Sequence, residues 1–294
     1  MDKIHVPVLL EESIQALNVK PNGFYIDCTL GDGGHSYKIL SRLSSQGLLL
    51  SIDRDQNAID FVKKYYDIPD NWILTQSNFS KIKEALELNN IQRNPDGIIM
   101  DLGLSSRQLE KSNSRGFSYM ADNEPLDMRM DTNLTVTALD LLKVLNEHEL
   151  TKLFKLYGEE RYAKSIANAI KENISEIKNV GDLTSLIYKV VPVASNNKNP
   201  SRRVFQALRI AVNDELNSLK TGLDKAFEIL TTNGKLVVIS FHSLEDRIIK
   251  DYFNEKEDEE LAKILSKKPI QPSEEETERN PRSSSAKLRI LQKI

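Results

Sequence analysis

Cysteine is nearly absent from this 294-residue chain: Cys28 is the only one, so no internal disulfide can form. One cysteine and four scattered histidines, His5, His35, His148 and His242, do not make a zinc cluster. No apolar run approaches the roughly 20 residues that a membrane-spanning helix needs. The segment MDKIHVPVLLEE lacks the apolar stretch and cleavage site of a secretory signal, which leaves the cytoplasm as the expected address. A basic excess is missing too. With 40 Lys and Arg against 43 Asp and Glu the net charge is −3, which argues against a dedicated nucleic-acid-binding module. What remains, 39% hydrophobic and 28% charged, is an ordinary globular composition, long enough for one large or two modest domains.

The chain alternates apolar runs with helical patterns in its first hundred residues. GFYIDCTL (23–30), LLLSID (48–53), WILTQS (72–77) and GIIMDLG (97–103) have the continuous apolar character of strands buried on both faces. SYKILSRL (36–43), AIDFVKKYY (58–66) and KIKEALELNN (81–90) carry helical spacing between them. This rhythm predicts an α/β fold with a parallel sheet. From 105 to 199 it stops, and helical patterns follow one another at 137–145, 149–158, 161–173 and 183–191, between polar segments SSRQLEKSNSRG and SNNKNPSRR. We read 105–199 as an inserted helical subdomain and 1–104 with 200–294 as the discontinuous α/β domain. The insert holds 13 basic and 13 acidic residues over 106–200, so charge alone does not mark it as an RNA surface. Beyond it, 204–230 reads as one long helical pattern, GKLVVISF (234–241) as a strand, LEDRIIKDYFNEK (244–256) as a helix, 267–282 as mostly loop and AKLRILQKI (286–294) as a last strand.

The chemistry begins at DCTLGDGGHS (27–36), where the first strand should meet its helix. Gly31, Gly33 and Gly34 permit a sharp turn and close backbone approach, either to a ligand or simply to close the turn. Asp53 ends the second strand 20 residues past Gly33, where a carboxylate can accept hydrogen bonds from ribose hydroxyls or cap a helix. A dinucleotide fingerprint wants glycine at position 36, where Ser36 stands, so a pyrophosphate clasp is a poor match. Asp101 ends the fourth strand, beside the reversal in strand order where doubly wound folds bind ligands; loop closure is its alternative role.

Nine blocks then occur in order: HVPVLLEE, DCTLGDGGHS, DLGLSSRQLE, RGFSY, PLDMRMD, YGEER, FQALRIAVNDEL, ISFHSLEDRIIK and NPRSSSAKLR. Together they resemble the 16S rRNA cytosine-N4 methyltransferases, the RsmH (formerly MraW) family, over nearly the whole chain. The resemblance implies a class I, Rossmann-like S-adenosylmethionine-dependent methyltransferase with a helical insert. It implies that S-adenosyl-L-methionine is held by Gly33, Gly34, His35, Asp53, Phe79, Asp101 and Gln108, with no metal. It implies a target in 16S rRNA of the small (30S) subunit, a decoding-centre cytidine (cytidine 1402, ribosomal numbering), with no membrane partner; homodimerisation stays open. Arg107, Glu110, Asn199 and Ser284 depart from the usual family pattern, the last two in blocks that could touch RNA.

The cytosine N4 amine is a weak nucleophile, so the reaction needs in-line alignment and acceptors for the amine more than it needs a strong base. Asp101, with the carbonyls of Leu102–Leu104, is the expected catalytic acceptor. His242 and Ser243 either touch substrate or cap the helix that follows. His35 is expected to pack beside the cofactor rather than act as a base. Arg115 and Arg129 either grip phosphate or pair with acids such as Asp122 and Asp127. Arg202, Arg203 and Arg209 form the most cationic local group and are the expected RNA contacts outside the cleft. The target base is expected to flip toward the cleft under the helical insert. A methyltransferase for another substrate, a non-catalytic assembly factor and a nicotinamide enzyme are the competing readings. Whether 255–282 is ordered away from the ribosome is left open.

Overall fold

The computed structural model describes residues 7–105, 108, 115–192 and 199–294. The chain divides into two compact units, an α/β unit, 1–103 with 216–294, and a helical unit, 104–215.

The α/β unit is built on a seven-stranded sheet: β1 (Phe24–Asp27), β2 (Leu48–Asp53), β3 (Trp72–Gln76), β4 (Gly97–Asp101), β5 (Lys235–Ser240), β6 (Ala262–Ile264) and β7 (Lys287–Lys293). The order is β3-β2-β1-β4-β5-β7-β6. The first five run parallel, and β7 runs antiparallel to both β5 and β6. Continuous apolar strands follow from this placement, because side chains alternate between faces and both faces are covered. Phe24, Ile26, Leu50, Ile52, Ile98, Met100, Leu236 and Val238 point to one layer. Helices α4 (Ile82–Leu88), α10 (Glu215–Ile229) and α11 (Ser243–Asp258) line that layer with Ala85, Leu223 and Phe253. Tyr25, Leu49, Ile99, Val237 and Ile239 point to the other, packed by α1 (Leu10–Leu17), α2 (Gly34–Leu40) and α3 (Gln56–Tyr65). β1 sits between β2 and β4, so chain direction along the sheet reverses there and opens a crevice at the C-terminal ends of β1 and β4.

The helical unit contains α5 (Ala138–Val144), α6 (Glu147–Gly158), α7 (Ala163–Glu172), α8 (Val180–Val190) and α9 (Ser201–Asn213). Three of these starts carry reciprocal capping boxes, Thr137 with Asp140, Asn146 with Glu149 and Asn179 with Asp182. Phe154, Ile166, Ile170, Leu183, Ile187, Val204, Phe205 and Leu208 form its separate core.

The helical pattern at 204–230 is not one helix. It breaks at Asp214, whose backbone is left-handed (φ 47°), and α10 starts anew at Glu215. Residues 201–213, which the sequence pattern places in the α/β domain, belong to the helical unit because Val204, Phe205 and Leu208 face its core. Within 255–282, β6 pairs with β7, Ile270 bridges to Leu288, and α12 (Glu274–Arg279) occupies part of what reads as loop. No helix among the described residues is long and apolar enough to cross a membrane.

Asn213 is the fastener of the helical unit. It is 4% exposed, accepts from Met130 N (2.8 Å) and donates to Met128 O (2.7 Å) and Arg209 O (2.9 Å). These bonds hold the 125–131 loop, in which buried Met128 is itself left-handed (φ 59°). Replacing Asn213 by alanine strands buried donors and acceptors. We expect Asn213→Ala to lower unfolding stability by about 2–3 kcal/mol in a thermal or urea titration; an unchanged midpoint would mean the loop has other support.

Candidate active site

The glycine-rich turn is shaped first by the protein itself. Gly33 caps α2 with φ 84°, a conformation side chains rarely adopt. A Cβ on Gly34 would overlap the Pro7 ring, so glycine there makes room for Pro7. Packing therefore accounts for both glycines.

Below the turn lies a buried polar chain that no motif advertises. Asp27 Oδ1 accepts from Thr29 N (3.0 Å) and Thr29 Oγ1 (3.4 Å), and its Oδ2 accepts from Ser36 Oγ (2.6 Å). Ser36 Oγ lies 2.7 Å from Ser51 Oγ, to which the Trp72 indole N–H donates (2.9 Å). Ser36 is thus the anchor of Asp27, which explains why glycine does not stand there. Thr29 Oγ1 also accepts from Asp101 N (2.7 Å), so Asp27 positions the end of β4 through one hydroxyl.

Asp53 does not cap α3; Asp55 does, accepting from Asn57 N. The Asp53 carboxylate instead joins two turns, accepting Gly31 N on Oδ2 (2.8 Å) and Asp55 N on Oδ1 (2.9 Å). A carboxylate has about four acceptor sites, so two stay available for hydroxyl donors. Burial pushes its pKa up to about 6, against the pull of those two N–H bonds.

Asp101 is more strained electrostatically. Burial holds it well above the carboxylate range, and the carboxyls of Asp27 and Glu245 add to the shift. Its Oδ2 is 3.6 Å from His35 Nδ1, while its Oδ1 is shielded and has no hydrogen-bond partner among the described residues. His35 is buried and kept neutral, with its pKa lowered to about 4 by desolvation, so it packs at the helix start and is not poised as a base near neutral pH.

His242, not Ser243, caps α11: its Nδ1 accepts from Glu245 N (3.4 Å), and its Nε2 lies 3.1 Å from Glu245 Oε1. Glu245, 3% exposed, also accepts from Phe241 N (2.9 Å). The capping-box spacing is present in the sequence, but histidine in the cap position conceals it. Phe79 is 9% exposed and packed so closely on α10 that a Cβ on Gly222 would lie 2.5 Å from its ring; Arg54 covers the ring at 5.9 Å. In this unit, then, Gly33, Gly34, His35 and Asp101 gather at the β1–β4 crevice, and Asp53 joins them through Gly31.

The other expected site residues lie in the helical unit. Gln108 and Ser105 bond reciprocally, Ser105 N to Gln108 Oε1 (3.0 Å) and Gln108 N to Ser105 Oγ (3.2 Å). Arg115 corrects a phosphate-gripping expectation: at 5% exposure it donates to the carbonyls of Arg129 and Met130 and lies 5.2 Å from the Phe117 ring centroid. Arg129 forms a two-point ion pair with Asp127 (2.7 and 2.8 Å), the acid-pairing alternative. Arg209 is likewise clasped by Glu215 (2.8 and 2.8 Å). Arg202 and Arg203 are exposed. Arg107 and Glu110, and much of the polar segments that bound the insert, lie outside the described residues.

A sheet ordered 3-2-1-4-5-7-6 with an antiparallel seventh strand, carrying acids rather than a phosphate clasp at its switch point, is the class I S-adenosylmethionine-dependent methyltransferase architecture. The chain belongs to the MraW methylase family, whose model matches residues 2–294. It is similar to proteins named ribosomal RNA small subunit methyltransferase H from Caldicellulosiruptor saccharolyticus (46% identical, covering 99% of each chain) and Clostridium botulinum (45%, all of each chain). The Mycoplasma mycoides protein of that name is 44% identical over all of both chains.

The residues fit the cofactor on two observations of their own. A buried carboxylate oxygen with no donor among the described residues, in a group whose ionisation burial opposes, suits a cationic ligand, and S-adenosylmethionine carries a sulfonium and an ammonium. Asp53 retains acceptor capacity for a ribose. Because Asp53 binds hydroxyl donors best when ionised, affinity should be present above its raised pKa and fall as pH drops through about 6. By that linkage the contribution of Asp53 to cofactor affinity should be about tenfold weaker at pH 5 than at pH 7, measured by titration calorimetry as the difference between wild type and Asp53→Asn. In Asp53→Asn the step near pH 6 should vanish; a flat wild-type profile would remove Asp53 from the site.

Proposed function

We propose that this methyltransferase modifies 16S rRNA of the small ribosomal subunit at the N4 amine of a decoding-centre cytidine. The observation that carries the chemistry is Asp101 Oδ1 at the C-terminal end of β4, buried with no hydrogen-bond partner among the described residues. The names of the relatives matched over their whole length support the substrate class.

When bound, S-adenosylmethionine supplies a methyl group on a sulfonium, and the sulfur leaves as a neutral thioether. The chain's task is to present the amine and manage its protons. The N4 lone pair is delocalised into the ring, so nitrogen becomes positive as the new C–N bond forms. Asp101 Oδ1 accepts a hydrogen bond from the amine and stabilises that charge. Its raised pKa suits it to take the proton that nitrogen must lose, while Asp27 through Thr29 fixes the backbone from which Asp101 projects. Carbonyls of the turn that follows offer further acceptors. Asp53 orients the ribose. Neutral His35 beside Asp101 excludes water without adding a cation that would oppose the sulfonium. A paired cytosine cannot present N4 to a buried donor, so the base is flipped out of its stack.

The test is tritiated methyl transfer to small subunits lacking the modification, followed by nucleoside analysis. Label should appear as N4-methylcytidine at one site, and Asp101→Ala should lower kcat by about 10²-fold or more. Near-normal turnover with unchanged cofactor affinity would remove Asp101 from catalysis; cofactor binding with no transfer would point to another substrate or to assembly without turnover. Since charge over 106–200 is balanced, recognition should rest on shape and a few phosphate contacts. Assembled subunits should outperform naked 16S rRNA, and equal rates would contradict this.

A further inference from the structure

We propose that the turn joining α6 to α7, with the first turn of α9, is an RNA-binding platform on which Arg161, Arg202 and Arg203 hold phosphates and Tyr162 stacks an unpaired base. The proposal rests on the ribosomal RNA reading and adds a surface to it.

The two segments are locked together through their main chains. A Cβ on Gly158 would lie 2.6 Å from Arg203 O, so glycine lets the end of α6 meet the start of α9. Gln206 Nε2 donates to Tyr157 O (3.0 Å) across the same junction. Glu160, 6% exposed, accepts from Tyr162 N (2.8 Å) and fixes the main chain under that ring. The framework is rigid, while the side chains it carries are outside: Tyr162 is 42% exposed, and Arg161, Arg202 and Arg203 are exposed as well.

Those three arginines differ from others in the helical unit. Arg115, Arg129 and Arg209 are engaged by carbonyls or carboxylates, whereas Arg161, Arg202 and Arg203 form no ion pair among the described residues. Three guanidinium groups beside one exposed carboxylate, Glu159, make a locally cationic turn in a unit that holds 16 basic and 15 acidic residues over 104–215. Guanidinium forks match phosphate oxygens, and an exposed aromatic ring held by a rigid main chain stacks a base of any identity. Single-stranded RNA presents both in alternation, which an acidic protein surface does not.

The experiment uses the full chain with two probes, a fluorescein-labelled single-stranded oligouridine and small subunits lacking the modification. With oligouridine, the slope of log Kd against log salt should shrink by about 0.7 for each phosphate no longer held in Arg202→Ala, Arg203→Ala and Arg161→Ala. Tyr162→Ala should weaken binding about tenfold without changing the slope, and Tyr162→Phe should keep wild-type affinity. With subunits, KM should rise in the same order while cofactor affinity stays constant. Variants that match wild type in slope, affinity and KM would overturn the platform, even though the enzyme methylates. A wild type that binds oligouridine through these residues and methylates no ribosomal RNA would instead overturn the substrate assignment and leave the platform standing.

Discussion

Asp27 is the group on which the site depends. It is 1% exposed, its pKa is raised by burial, and three donors from Thr29 and Ser36 hold it in place. Through Ser36 it ties the start of α2 to Ser51 in β2 and to Trp72 in β3; through Thr29 it ties β1 to Asp101 in β4. A carboxyl at the point where strand order reverses therefore sets both walls of the crevice. A buried, hydrogen-bonded acid of this kind specifies one arrangement of its neighbours, because any other leaves its oxygens or their hydroxyls unsatisfied.

The same placement creates the electrostatic tension that, in the proposed site, the cofactor resolves. Asp27 and Glu245 add to the proton affinity that burial gives Asp101, and the neighbouring imidazole, His35, is held neutral. Among the described residues no side-chain cation partners Asp101 Oδ1. A ligand with its own positive charge does what a lysine would do elsewhere, and it becomes neutral at sulfur once the methyl has gone. In that proposal the acids favour the donor over the spent product. In the helical unit the logic is reversed: Arg115, Arg129 and Arg209 are locked into structure, and the exposed Arg161, Arg202 and Arg203 are available to a polyanion.

Much of this is legible in the sequence, and the exceptions have physical reasons. Buried parallel strands advertise themselves as continuous apolar runs, so β1 to β5 stand close to where GFYIDCTL, LLLSID, WILTQS, GIIMDLG and GKLVVISF place them. Edge strand β6 has three residues, too few to show a period, and helix α1 starts within a motif block and runs five residues past it, to Leu17. The break at Asp214 escapes the pattern because the apolar spacing continues across it; what interrupts the helix is a left-handed backbone, for which one Asp is weak notice. Gly33 and Gly34 suggest a ligand in the sequence, yet Pro7, Val62 and Tyr66 already account for them. Polarity misleads as well: Arg115 has the character of a phosphate hand and is a buried clamp, because a sequence displays a charge without its burial. Glu245 and Thr29 act through what they touch, which no spacing reveals.

Proton release on cofactor binding tests the electrostatics of the site most directly. It is measured by calorimetry at pH 7 in buffers of different ionisation enthalpy. Burial raises the proton affinity of Asp101 and a cationic ligand lowers it, so protons should leave as S-adenosylmethionine binds, and fewer as S-adenosylhomocysteine binds, which lacks the sulfonium charge. The release should be lost in Asp101→Asn. Identical proton exchange for both ligands, unchanged by that substitution, would contradict a site in which buried acids await a cationic ligand.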